Sequence, residues 1–139
     1  MHKKILHGMD GSEGAFKALA EAISLAKQSG AELHIISVEE VPQYAGTIGE
    51  IIEEEEEAKG RYRETGKQAR ELAAREGVNL KVHIVVGHEV KSIVEFVKKY
   101  GYDLLVIGFM GRSAIYDRVM GSTCQSLVRL APCSVLVVK

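Results

Sequence analysis

The chain has 139 residues, of which 46% are hydrophobic, enough to fill a single core in one domain spanning 1–139. Its 18 Lys and Arg against 19 Asp and Glu give a net charge of -1, without the basic excess of a nucleic-acid-binding surface. No apolar run approaches the roughly 20 residues that span a bilayer, and the N-terminal MHKKILHGMDGS has too short an apolar segment for a signal peptide, so a cytoplasmic protein without membrane contact is expected.

In chain order, KKILHGM (3–9) opens with a short run rich in aliphatic residues, the length of a strand. Residues 13–29 follow with Phe16, Leu19, Ile23 and Ala26 on one helical face, Ser12 in position to cap the start and Gly30 to end it. ELHIISV (32–38) reads as the second strand. The turn-prone PQYAGTIGE and the consecutive glutamates Glu53 to Glu57 come next. Such dense like charge predicts a solvated helix start, helped by the helix dipole. A lid over a bound anion or a contact with a partner is the alternative, the lid being disfavoured by charge repulsion. Tyr62, Ala69, Leu72 and Ala73 share the face of the helix that Gly77 closes.

NLKVHIVV (79–86) is the third predicted strand. Ile93, Phe96, Val97 and Tyr100 then form a helical face before Gly101. DLLVIG (103–108) is the fourth strand, Leu127, Val128 and Ala131 mark a last helix that stops before Pro132, and SVLVVK (134–139) is the fifth strand. This alternation predicts an α/β fold: a doubly wound, Rossmann-like, five-stranded parallel sheet with helices on both faces. Ligands in such sheets lie beyond the carboxyl ends of the strands, where strand order reverses.

Three predicted strand ends stand out. The first runs into Asp10-Gly-Ser, the second into Val38 and Glu39, and the fourth into GFMGRSAIYDRVMGS (108–122). There the spacing is Gly108, two residues, Gly111, nine residues, Gly121, Ser122. Glycines after a strand permit close backbone approach and positive φ angles that expose amides, and a Gly-Ser helix start presents N–H groups to an anion. The pattern predicts a phosphate cradle; a plain surface turn is the alternative. Neither G-x-x-x-x-G-K-[ST] nor G-x-G-x-x-G is present.

With the ending Ala131-Pro132-Cys133-Ser134-Val135-Leu136-Val137-Val138, these motifs make the chain similar to the universal stress protein family, in its ATP-binding branch, over essentially its whole length. The resemblance implies an adenine nucleotide alpha hydrolase-like fold, usually a homodimer, holding ATP at the strand ends, with Mg²⁺ reaching Asp10 through the nucleotide. It assigns Asp10 to the ribose or adenine side, backbone at Val38 to adenine, Ile107 to the base of the loop, and Gly108, Gly111, Gly121, Ser122 and Thr123 to the triphosphate. Several positions depart from the pattern. Phe109 and Met110 are bulky and either crowd the phosphates or point outward, Arg112 supplies the charge that no loop lysine provides, and His88 stands where relatives often have Asp-Pro.

Catalysis has weaker support. Asp117 and Arg118 lie near the loop without an acid–base pair evident by spacing, so at most slow ATP hydrolysis is expected. His2, His7, His34, His83 and His88 show no metal-ligand spacing and read as structural. Cys124 and Cys133, separated by a predicted helix, are too far apart for a disulfide. The apolar strand 134–138 at a sheet edge predicts a homodimer joined through it. Three functional classes follow: an ATP-binding regulatory dimer with an unknown protein partner, a nucleotide-free interaction module of the same fold, and an adenylating enzyme, for which 139 residues leave no acceptor domain.

Overall fold

The computed structural model describes residues 2–40, 47–110 and 120–139. Five strands, β1 (Lys4–Gly8), β2 (Glu32–Glu39), β3 (Leu80–Val86), β4 (Leu104–Gly108) and β5 (Ser134–Val138), alternate with four helices, α1 (Glu13–Ser29), α2 (Ile48–Arg75), α3 (Glu89–Tyr100) and α4 (Ser122–Leu130). All strand pairs are parallel, in the order β3-β2-β1-β4-β5. The doubly wound sheet expected from the sequence is therefore the fold.

Local chemistry sets the helix ends. Ser12 Oγ accepts from Ala15 N at 3.1 Å to start α1, and Gly30 ends it at φ 68°. Thr47 and Glu50 form a reciprocal capping box at α2, placing Glu53, Glu56 and Glu57 on its exposed surface as a solvated helix start. His88 caps α3, its Nδ1 accepting from Lys91 N at 3.3 Å, so the residue that departs from the Asp-Pro pattern still starts the helix. α4 ends at Ala131, before Pro132.

Each strand feeds two cores. Ile5 and Met9 of the first strand region, with Leu104 and Val106 of β4, pack beneath α1 and α2. Leu6, Leu105 and Ile107 point the other way, toward α3 and α4. Burial on both faces is why these strands read as unbroken aliphatic runs. Each fully buried Ile or Leu contributes about 1.5–3 kcal/mol. α2 approaches β3 closely at Gly66, where a Cβ would lie 2.9 Å from Val82 Cγ1.

The helical faces are narrower than their spacing implies. Tyr62, Ala69 and Ala73 are buried, but Leu72 is exposed; Tyr100 and Val128 are exposed likewise. Those positions sit at the flank of the apolar stripe, where the sheet no longer covers them. Cys124 and Cys133 are free thiols at either end of α4, as their separation requires.

Candidate functional site

From β1 the chain winds outward through β2 to β3, then returns to lay β4 on the other side of β1. The connections leaving β1 and β4 therefore part in opposite directions and leave a crevice between them. A cleft of about 380 Å³ occupies this position. Gly8, Val38, Ile107 and Gly108 from the strand ends line it, together with Asp10 and Thr123 at the entrances to two helices.

The first wall is a built turn. Asp10 Oδ1 accepts from Ser12 N at 2.9 Å, Gly11 sits at φ 82°, and Ser12 then caps α1. An Asx turn therefore holds the Asp10 carboxylate at the cleft rim. Beneath it, Ser37 Oγ donates to Met9 O at 2.7 Å and Met9 N donates to Ile36 O at 2.9 Å, so the turn is tied to β2. Val38 continues that strand to the cleft floor with only 8% of its surface exposed.

Gly108 is required for a reason other than the expected one. It does not take a positive φ, whereas Gly11 does. A Cβ on Gly108 would instead stand 3.1 Å from Gly14 O, so the missing side chain lets β4 run against the start of α1. Gly121, with φ -61° and ψ 148°, is also in ordinary extended backbone, and it caps α4 without any side-chain hydrogen bond. The expectation of positive φ is thus corrected at Gly108, which close packing explains, whereas Gly121 opens the last helix as expected.

The described ends of the glycine-rich connection are fastened together. Phe109 N donates to Val138 O at 2.9 Å, and Phe109 O accepts from Gly121 N at 3.0 Å. The Phe109 ring lies under Lys139 Nζ at 5.2 Å and does not line the cleft, whereas Met110 does. One of the two bulky residues therefore points outward. Gly111 and Arg112, like Asp117 and Arg118, fall outside the described residues. Thr123 reaches the cleft wall, while Gly121 and the exposed Ser122 stand at the start of α4 beside it.

The cleft contains residues that sequence reasoning passed over. Tyr62, legible in the sequence only as part of a helical face, enters from the middle of α2, 6% exposed. Glu40 and Glu89 also line the cleft, and Glu40 Oε1 accepts from Glu89 N at 2.8 Å, across the first turn of α3. Their signal was available: both follow the carboxyl end of a parallel strand, so both had to gather at this rim. Glu39 pairs with Arg61 Nη2 at 3.8 Å, the cation drawn from α2. Burial raises the Cys124 thiol, which keeps this lining residue protonated and apolar in character.

Asp10 and the surrounding carboxylates supply hard oxygen donors, the ligand type that Mg²⁺ takes, usually while keeping several waters. Among the described residues no group of three His, Cys, Asp or Glu is placed to hold a metal on its own. Likewise, no helix among them is long and apolar enough to cross a membrane.

The family model described as "Universal stress protein family" matches residues 1–139. The chain belongs to the universal stress protein family. A universal stress protein of Methanocaldococcus jannaschii is 31% identical over 147 residues, covering 100% of this chain and 83% of that protein. Among solved structures, universal stress protein UspA from Lactobacillus plantarum superposes with a TM-score of 0.93 at 26% identity, covering 99% of this chain and 98% of its own. A universal stress protein solved in complex with cAMP gives a TM-score of 0.78 at 25% identity, covering 99% and 97%. Universal stress proteins with this sheet thus include one whose structure contains an adenine nucleotide.

Proposed function

We propose that the cleft binds an adenine nucleotide, with ATP and Mg²⁺ as its principal ligand, and that occupancy changes what a homodimer of this protein contacts. The observation that carries this reading is the convergence of Asp10, Val38, Ile107, Gly108 and Thr123 at one cleft at the switch point of the sheet. In this reading the Asp10 carboxylate accepts from ribose hydroxyls and backbone at Val38 meets the base. Gly108, Gly111, Gly121, Ser122 and Thr123 surround the phosphates, Arg112 adds positive charge, and Ile107 floors the site. The uncapped amides at the start of α4 supply donors aimed at an anion. When bound, Mg²⁺ neutralises phosphate charge beside Asp10. The complex with cAMP of a family member supports the ligand class.

The dimer part of the proposal rests on β5. It is an edge strand with half-buried Val135, Leu136, Val137 and Val138, and an apolar edge of this kind is a surface for pairing with a second copy. Light scattering coupled to size exclusion tests it: a species of twice 15.2 kDa supports it and a monomer refutes it.

A nucleotide-free interaction module is the competing reading, favoured by one observation: Asp10, Glu39, Glu40 and Glu89 all line the cleft and repel phosphate. The two are separated on the purified protein. Denaturation followed by chromatography and mass spectrometry identifies any nucleotide carried along, and calorimetric titration of the stripped protein with ATP and Mg²⁺ reports its affinity. About one nucleotide per chain, recovered or titrated, supports the binding reading. A folded protein that releases none and gives no heat moves the assignment to the interaction module.

A further inference from the structure

At the opposite end of the sheet from the cleft, polar groups are buried where the fold has no need of chemistry. His34 of β2 is 6% exposed and Tyr102, just before β4, 5%. His34 Nδ1 stands 2.9 Å from His83 Nε2 of β3 and 2.8 Å from the Tyr102 hydroxyl. The two imidazoles are 11° from parallel with centroids 5.1 Å apart, so they meet nitrogen to nitrogen and not face on face. On its other edge, His34 Nε2 faces Glu32 Oε1 at 3.6 Å.

These contacts assign the protons. If Nδ1 of neutral His34 carried the hydrogen, its bare Nε2 would face the Glu32 carboxylate, lone pair against lone pair. With the hydrogen on Nε2 that edge turns toward Glu32, at 3.6 Å an electrostatic contact too long for a hydrogen bond, and bare Nδ1 offers its single lone pair to be shared by His83 Nε2–H and Tyr102 O–H. Burial pushes the Tyr102 phenol up to about 12, so it remains a donor. The array has room for one more proton, on His83 Nδ1, which leaves the single hydrogen already lying between the facing nitrogens in place. A second leaves Nδ1–H and Nε2–H pointing at each other across the same gap.

The surroundings oppose that second proton. Lys81 Nζ of β3 lies 3.6 Å from Glu32, and Lys4 Nζ of β1 lies 4.7 Å over the Tyr102 ring. From α3, Phe96 covers His83 at 4.9 Å and Tyr100 packs on Phe96, with Lys99 Nζ 5.3 Å over the Tyr100 ring as a more distant cation. Glu32 alone of these groups favours a charged His34. Burial first, then neighbouring positive charge, holds His83 below the usual histidine range, and burial does the same to His34 despite Glu32.

We propose that the His83–His34–Tyr102 array is a proton-sensitive clamp fastening edge strand β3 to β2 and to the start of β4, and that uptake of two protons by the histidine pair opens that edge in acid. Among the described strands β3 has β2 as its only neighbour, so the clamp acts at an edge of the sheet. Opened, β3 offers a strand edge that the clamped protein keeps in register.

The test uses the intact protein. Ring ¹⁵N spectra at pH 7.5 should show both His34 and His83 with the hydrogen on Nε2. Amide hydrogen exchange, referenced to intrinsic rates, should then show residues 80–86 losing protection by about tenfold or more per pH unit below about 6.5, ahead of β1 and β4. His83→Gln keeps a donor amide but cannot be protonated, and should blunt this acid response in residues 80–86. The proposal is overturned if His34 carries its hydrogen on Nδ1, if β3 and the central strands lose protection together or not at all, or if His83→Gln keeps the full response.

Discussion

Acid should weaken this fold through His7. The residue lies at the centre of the sheet on β1, with no exposed surface. Its Nδ1 is 3.0 Å from Val106 O, a group that only accepts, so Nδ1 carries the hydrogen and Nε2 is bare. Nε2 is buried without a hydrogen-bond partner among the described residues, so the charge of a proton added there is poorly compensated for its loss of water. Burial lowers the pKa from 6.5 to about 4, against weaker upward pulls from Val106, Ala15 and Asp10. Above 6.5 neither the folded nor the unfolded chain holds the extra proton and stability is undiminished. As pH falls below 6.5, the unfolded chain takes up a proton that the folded one refuses. The loss grows until about pH 4 and is constant beneath it. The gap, at about 1.4 kcal/mol per pH unit, is worth about 3 kcal/mol, a large part of the 5–15 kcal/mol that holds a typical domain. Urea denaturation of the wild type and of His7→Leu at several pH values between 7.5 and 4 measures it. His34 and His83 weaken both proteins alike, so the difference in acid loss isolates His7. His7→Leu should lose about 3 kcal/mol less over that range, whatever its stability at neutral pH. Parallel curves for the two proteins would refute the reasoning.

Three further substitutions probe the cleft. Gly121→Val should abolish ATP binding by calorimetry while leaving the circular dichroism unchanged, since φ -61° and ψ 148° suit a β-branched residue and the new side chain would fill space assigned to phosphate. Gly108→Val should lower stability by about 1–3 kcal/mol in urea, because its Cβ would press on Gly14 O at 3.1 Å. Leu127→Ala, at a position 1% exposed beneath the cleft, should cost about 2–5 kcal/mol, read as a lower denaturation midpoint with an unchanged slope.

Much of the site was legible because strand ends in a parallel sheet converge. Asp10, Val38, Ile107 and Gly108 each stand at or just beyond the end of a predicted strand, so reading their chain positions was nearly the same as reading their location. Glu40 and Glu89 were legible by the same rule. Tyr62 was not, because a residue in the middle of a 28-residue helix reaches the cleft only through the angle at which α2 crosses the sheet. Phe109 shows the same limit from the other side: its size is plain in the sequence, but the Lys139 contact that turns its ring away depends on β5 lying beside β4.

Composition, aliphatic spacing and the capping residues determined the elements, their order and the parallel winding, since those depend on local backbone preference and on burying each apolar face. Tertiary structure decided what depends on distance between segments far apart in the chain. It brought Gly108 against Gly14, and it joined His34 to His83 and Tyr102, residues 49 and 68 positions away, into one hydrogen-bonded array. Spacing along a chain carries periodicity within an element, whereas such contacts arise from packing one element on another, which no single element encodes.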